Sequence, residues 1–595
     1  MALRIEDYAI IGDTETGALV GTNGSIDWLC APRFDSPAFF TALLGTEANG
    51  HWLIAPADGV RRVRRRYRPG TLILETDFET DSGVVRLVDC MPLGDGHHDV
   101  VRIVEGVRGS VAMQMRLAPK FDYGRLIPAI GQIDQGMFAV AGPDAVCLRT
   151  PVTLAHDGAT ASAAFTVAAG DRIPFHLAWY PSHLDRPEPI DPFNMVARTE
   201  AWWRAWSGRC TYQGPHAEDV LRSLITLKAL THAPTGAIVA ALTASLPEEI
   251  GGERNWDYRF CWLRDGAFTL GPLVQTGYME EAVAWRDWLL RAIAGDPSQL
   301  QLMYGIAGEH RLTELELTWL PGYEASKPVR IGNAASEQFQ LDIFGEVMAV
   351  LHHAWQAGLP IRDPTRSPGI EIHDVVELLE GMWREPDEGI WEVRGQRQHF
   401  TYSKVSAWTA VDRAIKYAVG TGADVPLERW RALRDEIHAD VLAKGYDAER
   451  NTFVQYYGGK GLDASLLLIP ISGFLPPNDP RVLGTIDAIQ AEICEGPFVW
   501  RYSTDESVDG LAGSEGAFLI CSFWLVSALA LAGRVEAAEK NLEQLMRLQN
   551  DVGLLSEEHD PANQRALGNF PQAFSHIGML HSIFAISDAR NQVQP

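Results

Sequence analysis

The chain is poor in cysteine. Seven residues in 595, at Cys30, Cys90, Cys147, Cys210, Cys261, Cys494 and Cys521, are scattered and none forms a CxxC pair. That argues against a disulfide framework or a zinc ribbon and fits reduced, buried thiols in a cytosolic protein. Positive charge is also short: 51 Lys and Arg stand against 77 Asp and Glu, a net charge of −26. A field of that sign repels nucleic acid and anionic membranes, so neither is expected as a partner. The most apolar run, AFLICSFWLVSALALA (517–532), is short for a bilayer span and interrupted by serine, which predicts a buried core helix. The N-terminus, MALRIEDYAIIGDTETG, has no basic segment followed by an apolar one. No secretory signal is expected there, and a cytoplasmic location is. There is no GxxxxGK[ST] and no HExxH, hence no phosphate loop and no metalloprotease motif, and no metal or other cofactor is expected.

The first third of the chain reads as β. TLILETDF, VVRLVDCM, DVVRIVEGV, VAMQMRLA, AVCLRTP and IPFHLAWY are short, rich in Val, Ile and Leu, and punctuated by Gly, Pro and Asp. Regular short strands with turn signals predict an antiparallel β-sandwich. RRVRRRYR (61–68) is the one basic run. It could hold phosphate, but the plainer reading is a solvated sheet edge whose charge blocks further pairing. Near Pro192 the pattern turns helical. In TYSKVSAWTAVDRAIKYAVG, residues Val405, Trp408, Val411, Ile415 and Ala418 share one face. Further helices are expected near 216–231, 264–294, 336–357, 369–383, 426–444, 514–532, 534–549 and 571–587. Long loops bearing Gly, Pro and Trp separate them, which suits a helical toroid with its site at one mouth better than a plain bundle.

Candidate chemistry lies in those loops. Glu392 sits in GIWEVRG and Glu557 in GLLSEEHDP, with Glu558 an equal competitor for the second place. Two carboxylates from distant loops are what glycoside hydrolysis requires: one protonates the leaving oxygen, the other activates water or attacks the sugar. Burial against an indole would raise the pKa of the proton donor. Either glutamate alone reads equally as a helix cap or a surface ion pair. Trp256, Trp262, Trp319, Trp391 and Trp500 also fall in loops, where indoles can stack on sugar faces, whereas Trp408 and Trp524 read as core. Arg264 and Asp265 in CWLRDGAF stand where a helix begins, so the pair either binds adjacent hydroxyls or caps the helix.

Together these stretches resemble glycoside hydrolase family 15, the glucoamylase-like family, and within it the bacterial trehalase-like branch. The resemblance runs over nearly the whole chain. YAIIGDTETGALVGTNGSIDWLCAPRFDSPAFF is similar to the β-domain of that branch. GGERNWDYRFCWLRDGAF, YGIAGE, PVRIGNAASEQFQLDIFGE, GIWEVRG with HFTYSKVSAW, DGLAGSEGAF, and GLLSEEHDP with LGNFPQAFSH resemble its catalytic domain in order. The resemblance implies a β-sandwich over 1–190, a helical linker over 191–215 and an (α/α)6 barrel over 216–595. It implies inverting hydrolysis of a small α-glucoside with Glu392 as general acid and Glu557, not Glu558, as general base. It further implies that Arg264 and Asp265 grip the non-reducing glucose, that Arg501 in VWRYSTDE binds substrate, and that Trp391 and Tyr304 line the pocket.

Fungal glucoamylases carry a second acid where this chain has Val393 and an indole where it has Ala517, both on the leaving-group side. Trehalose is therefore the favoured substrate over starch. A glucoamylase, an isomaltose- or dextran-directed glucohydrolase, a phosphorylase and a silent sugar-binding protein are the competing readings. The sequence carries no argument on oligomeric state, and a homo-oligomer stays open.

Overall fold

The computed structural model describes residues 2–93, 98–359, 370–503, 509–511 and 513–593. Up to Pro181 the chain is one large antiparallel sheet. Its spine is the strand His98–Ala118. The first half of the spine lies between Gly83–Cys90 and Arg172–Pro181. The second half lies between His51–Pro56 and Thr160–Ala168. DVVRIVEGV and VAMQMRLA, expected as two strands, are therefore one. The intervening Gly-Val-Arg-Gly reads as a turn, but it serves as a bend: the register slips opposite Val84 and Val85, and Gly109 takes a φ of +72°. A bulge plus a left-handed glycine lets a long strand turn a corner without leaving the sheet. Tyr8–Gly12, on one arm of the sheet, packs against Leu74–Thr80 and Gly83–Cys90 on the other.

The basic run forms the strand Val60–Tyr67, which pairs with Leu74–Thr80 and stands at the sheet edge. Arg66 pairs with Glu75 and Asp77, and Arg68 with Glu75 and Glu200. Arg65 points to the other face, where its Nε donates to Asp551 at 3.0 Å. Arg65, Arg66 and Arg68 are thus paired within the fold, while Arg62 and Arg64 are exposed.

The helix Pro192–Ser207 follows, started by Asp191, whose side chain accepts from the N–H groups of Phe193 and Asn194. Trp206 stacks on Tyr278 at 4.2 Å and donates to Glu281 at 2.6 Å, docking this helix on Met279–Ala292. Beyond it, Leu263–Gln275, Asp342–Gln356, Thr401–Thr421, Leu468–Ser472, Leu519–Leu531 and Ala573–Val593 each pack on the next, and the last returns to the first. Ala217–Ala229, Met279–Ala292, Ile372–Met382, Leu427–Lys444, Pro480–Glu492 and Val535–Met546 lie outside this ring. Residues 264–294, expected as one helix, are two. Thr276 hydrogen-bonds back to the Pro272 carbonyl at 2.7 Å and ends the first. The expected 336–357 and 514–532 helices begin only at Asp342 and Leu519, because the preceding residues form site loops. Residue 369, expected to open another, lies outside the described residues.

Leu519–Leu531 is the apolar run, and it is core. No helix among the described residues is long and apolar enough to cross a membrane.

Candidate active site

The loops entering the ring helices Leu263–Gln275, Asp342–Gln356, Thr401–Thr421 and Leu519–Leu531 build one cavity. It holds about 560 Å³ of free space, counting its open mouth. Its wall includes Glu248, Arg254, Trp256, Tyr258, Arg264, Trp391, Glu392, Arg501 and Asp509.

Glu392 is strained. Its φ is +58°, a conformation that costs a residue with a side chain about 1–3 kcal/mol and persists only when its surroundings enforce it. The Glu392 N–H bonds the Gly389 carbonyl at 3.0 Å, and the Gln338 side chain holds the carbonyls of Glu392 and Val393 at 3.0 and 3.2 Å. The carboxyl is aimed into the cavity, where Trp262 Nε1 donates to its Oε1 at 2.7 Å and Arg264 stands 3.9 Å away. Burial raises its pKa, while Arg264 and the Trp262 hydrogen bond pull the other way.

The expected indole partner was the neighbour in sequence, Trp391. That is corrected: Trp391 lines the cavity, but its N–H goes to Asp463 at 2.9 Å.

Glu557 is almost fully buried, just behind the wall. Its Oε2 accepts from the Asn569 N–H at 2.8 Å, and its Oε1 has no partner among the described residues. Gly568 makes this possible. Its φ is +69°, and a Cβ there would meet Glu557 Oε2 at 2.4 Å. The Tyr258 hydroxyl lies near Glu557 and pulls its pKa down against burial. Burial first, then the charges of Glu557, Glu248 and Glu392, push the Tyr258 hydroxyl well up in pKa, and Tyr258 shares the cavity wall with Glu392.

Glu248, Glu557 and Glu558 bring carboxylate oxygens within 4.8 Å of one another, a spacing a cation could use. Arg501 already supplies the positive charge, 2.8 Å from Glu248 and 3.6 Å from Glu558, with Glu515 completing its shell at 2.8 Å. Arg254 adds a second guanidinium, 3.5 Å from Glu515, but two cannot balance the four carboxylates of Glu248, Glu515, Glu557 and Glu558, so protons are retained. Burial followed by Glu248 pushes Glu557 up to about 8, and burial raises Glu558 further above its ordinary value.

Arg264 lines the cavity with Asp265 behind it, 3.0 Å from its Nε. Tyr304 does not join them. It is fully buried, its hydroxyl accepts from the Gln301 N–H at 3.0 Å, and it is absent from the cavity wall. It pairs with Cys261 in a short ladder that supports Trp262. Trp319 instead donates to the Tyr123 carbonyl, in a contact with the N-terminal sheet region.

Sequence reasoning missed Glu248, Arg254, Tyr258 and Asp509. Arg254 and Tyr258 stand in the same run as Trp262, RNWDYRFCW, a density of polar and aromatic residues that a loop without a site does not need. The N-terminal region supports this run from behind. Arg259, fully buried on Asp257 at 2.6 Å, donates to the Ser36 carbonyl and the Tyr123 hydroxyl. No described residue before Glu248 is on the cavity wall.

One buried carboxyl on the cavity wall and a second just behind it are the kind of pair that glycoside hydrolysis requires. The family model for glycosyl hydrolases family 15 matches residues 214–584, and that for the trehalase-like N-terminal domain matches residues 1–179. The chain belongs to glycosyl hydrolases family 15. The chain is similar to a trehalase of Mycobacterium tuberculosis, 39% identical over 99% of this chain and 90% of that one. A trehalase of Thermoplasma acidophilum is 37% identical over 94% of this chain and 97% of its own. A solved bacterial glucoamylase complexed with acarbose shares the fold, with a TM-score of 0.72, 12% identity and coverage of 99% and 94%.

Proposed function

We propose that this chain is a trehalase, splitting α,α-trehalose with water into two glucoses by a single inverting displacement. The observation that carries it is the pair of buried glutamates at one cavity, Glu392 on its wall and Glu557 just behind, in a chain alike over nearly its full length to proteins named trehalase. Glu392 is the general acid. Its Oε1 takes the Trp262 N–H, leaving Oε2 to carry the proton to the bridging oxygen. Glu557 is the general base, its unpartnered Oε1 taking a proton from the attacking water. It acts in the fraction of molecules in which the shared proton rests on Glu558 or Glu248. Arg264, Asp265 and Arg501 hold the glucose whose anomeric carbon is attacked, and Trp391 borders it.

The ring of six helices with six outside it supports an (α/α)6 barrel, and the two facing arms of the sheet support a β-sandwich. The boundaries at 190 and 215 bracket the helix Pro192–Ser207.

The test is glucose release from trehalose, maltose, isomaltose and soluble starch, with anomers followed by NMR and with phosphate present and absent. Trehalose should give one β- and one α-glucose. Two α-glucoses would exclude inversion, cleavage of the other glucosides alone would move the function to a glucohydrolase, and glucose 1-phosphate would make it a phosphorylase.

A further inference from the structure

The cavity holds two arginine–aspartate pairs. The first is Arg264 with Asp265, which reaches the Glu392 carboxyl. The second is Arg254 with Asp509, at 2.7 Å. The second pair is anchored beyond Glu392 in the chain: the Asp509 carbonyl accepts the Arg394 N–H at 2.8 Å. Tyr502 also donates to Asp509 Oδ2 at 2.9 Å.

This second pair is built in the manner of a binding site. Arg254 is 3% exposed and Asp509 2%, both line the cavity, and Arg254 Nε is buried without a partner. Burial opposes the charge on Asp509, but the Leu511 N–H and Arg254 hold its pKa below the ordinary value, so the carboxylate stays an acceptor. A fixed guanidinium beside a fixed carboxylate offers donors and acceptors a few ångströms apart. Sugar hydroxyls, each able to donate and accept, match that pattern.

A general acid stands at the bridging oxygen, with one sugar on each side of it. A substrate made of two identical glucosyl units calls for two similar sets of hydroxyl partners. We infer that Arg254 and Asp509 bind the hydroxyls of the leaving glucose and so set the preference for a second glucosyl unit. This rests on the reading of Glu392 as general acid and of trehalose as substrate.

The experiment compares trehalose with α-D-glucosyl fluoride, which has one glucosyl unit and a leaving group needing neither an acid nor a sugar site. In Arg254→Met and Asp509→Asn, kcat/KM for trehalose should fall about 100-fold, mostly through KM, and that for the fluoride less than about fivefold. Fluoride turnover also reports that the variant is folded. Tyr502→Phe keeps the packing and removes one hydroxyl, so it decides the matter where the other two fail to fold: a loss of about three- to tenfold on trehalose alone is expected. Equal losses on both substrates, or none on either, overturn the inference. A wild-type enzyme that hydrolyses the fluoride but not trehalose overturns the reading beneath it instead.

Discussion

Trp262 Nε1 donates to Glu392 Oε1 at 2.7 Å across 130 positions of sequence. A donor on Oε1 favours the ionised carboxyl and fixes which oxygen keeps the proton. Trp262 in turn packs edge-on against Tyr258, at 5.1 Å, so the acid and the phenol near the base share one aromatic support.

Trp262→Phe removes the hydrogen bond and keeps most of the packing. The bond lowers the Glu392 pKa, so its loss should raise it and move the alkaline limb of the kcat/KM profile upward by up to about one pH unit. kcat should fall about tenfold as the carboxyl loses its orientation. A profile that shifts downward would show that Trp262 does not serve the protonated group.

Glu557 and Glu558 are neighbours that the sequence alone could not separate, and they are held differently. Each accepts a backbone N–H on Oε2 at 2.8 Å and neither Oε1 has a hydrogen bond, but Glu557 lies near Tyr258 whereas Glu558 Oε1 stands 3.6 Å from Arg501. Glu557→Gln should lower kcat by about a thousandfold or more and Glu558→Gln by far less. Azide should restore turnover to Glu557→Ala, giving β-glucosyl azide. Glu392→Gln should lose trehalose cleavage by a similar factor yet keep much of its turnover of α-glucosyl fluoride, which needs no acid. Rescue in a Glu558 variant instead would transfer the base to that residue.

How much of this was legible follows from what each feature needs. Glu392 stood out only as one of two loop carboxylates within motifs that resemble a known family, since alone it reads as a helix cap or a surface ion pair. Its true donor did not, because the link from Trp262 to Glu392 depends on a φ of +58° that no local pattern announces. The helix over Thr401–Thr421 was readable from its apolar face. The continuity of His98–Ala118 was not, since a glycine that bends a strand and a glycine that ends one look alike in sequence. Tyr304 was placed in the pocket by resemblance alone, and its hydroxyl is taken up by Gln301. Asp509 opens DGLAGSEGAF and Glu248 stands just before GGERNWDYRF, but their partners Arg254 and Arg501 are about 250 positions away, so only the assembled ring brings the pairs together.

The acid limb of the rate profile should report the carboxylate cluster. Glu557 faces Glu248, Glu558, Tyr258, Arg501 and the Asn569 N–H, and its pKa is pushed up to about 8 by burial first and Glu248 next. A base works only when ionised, so activity should rise through a limb well above 4.5, the ordinary value for a glutamate. Glu248→Gln removes the nearest negative charge that raises it, and the limb should move to lower pH by about one unit. The apparent constants belong to the cluster rather than to one residue. Arg501 loses its 2.8 Å partner in the same variant, so KM should rise as well, but a loss of positioning alone leaves the limb where it was. The same coupling sets a stability trend. The folded chain keeps a proton on Glu557 that the unfolded chain releases, so this contribution is complete below 4.5 and is lost as pH rises through about 8. Tm of the wild type should therefore decline across that window, and the decline should be shallower in Glu248→Gln. A limb that stays fixed or moves upward in the variant would remove Glu248 from the control of the base.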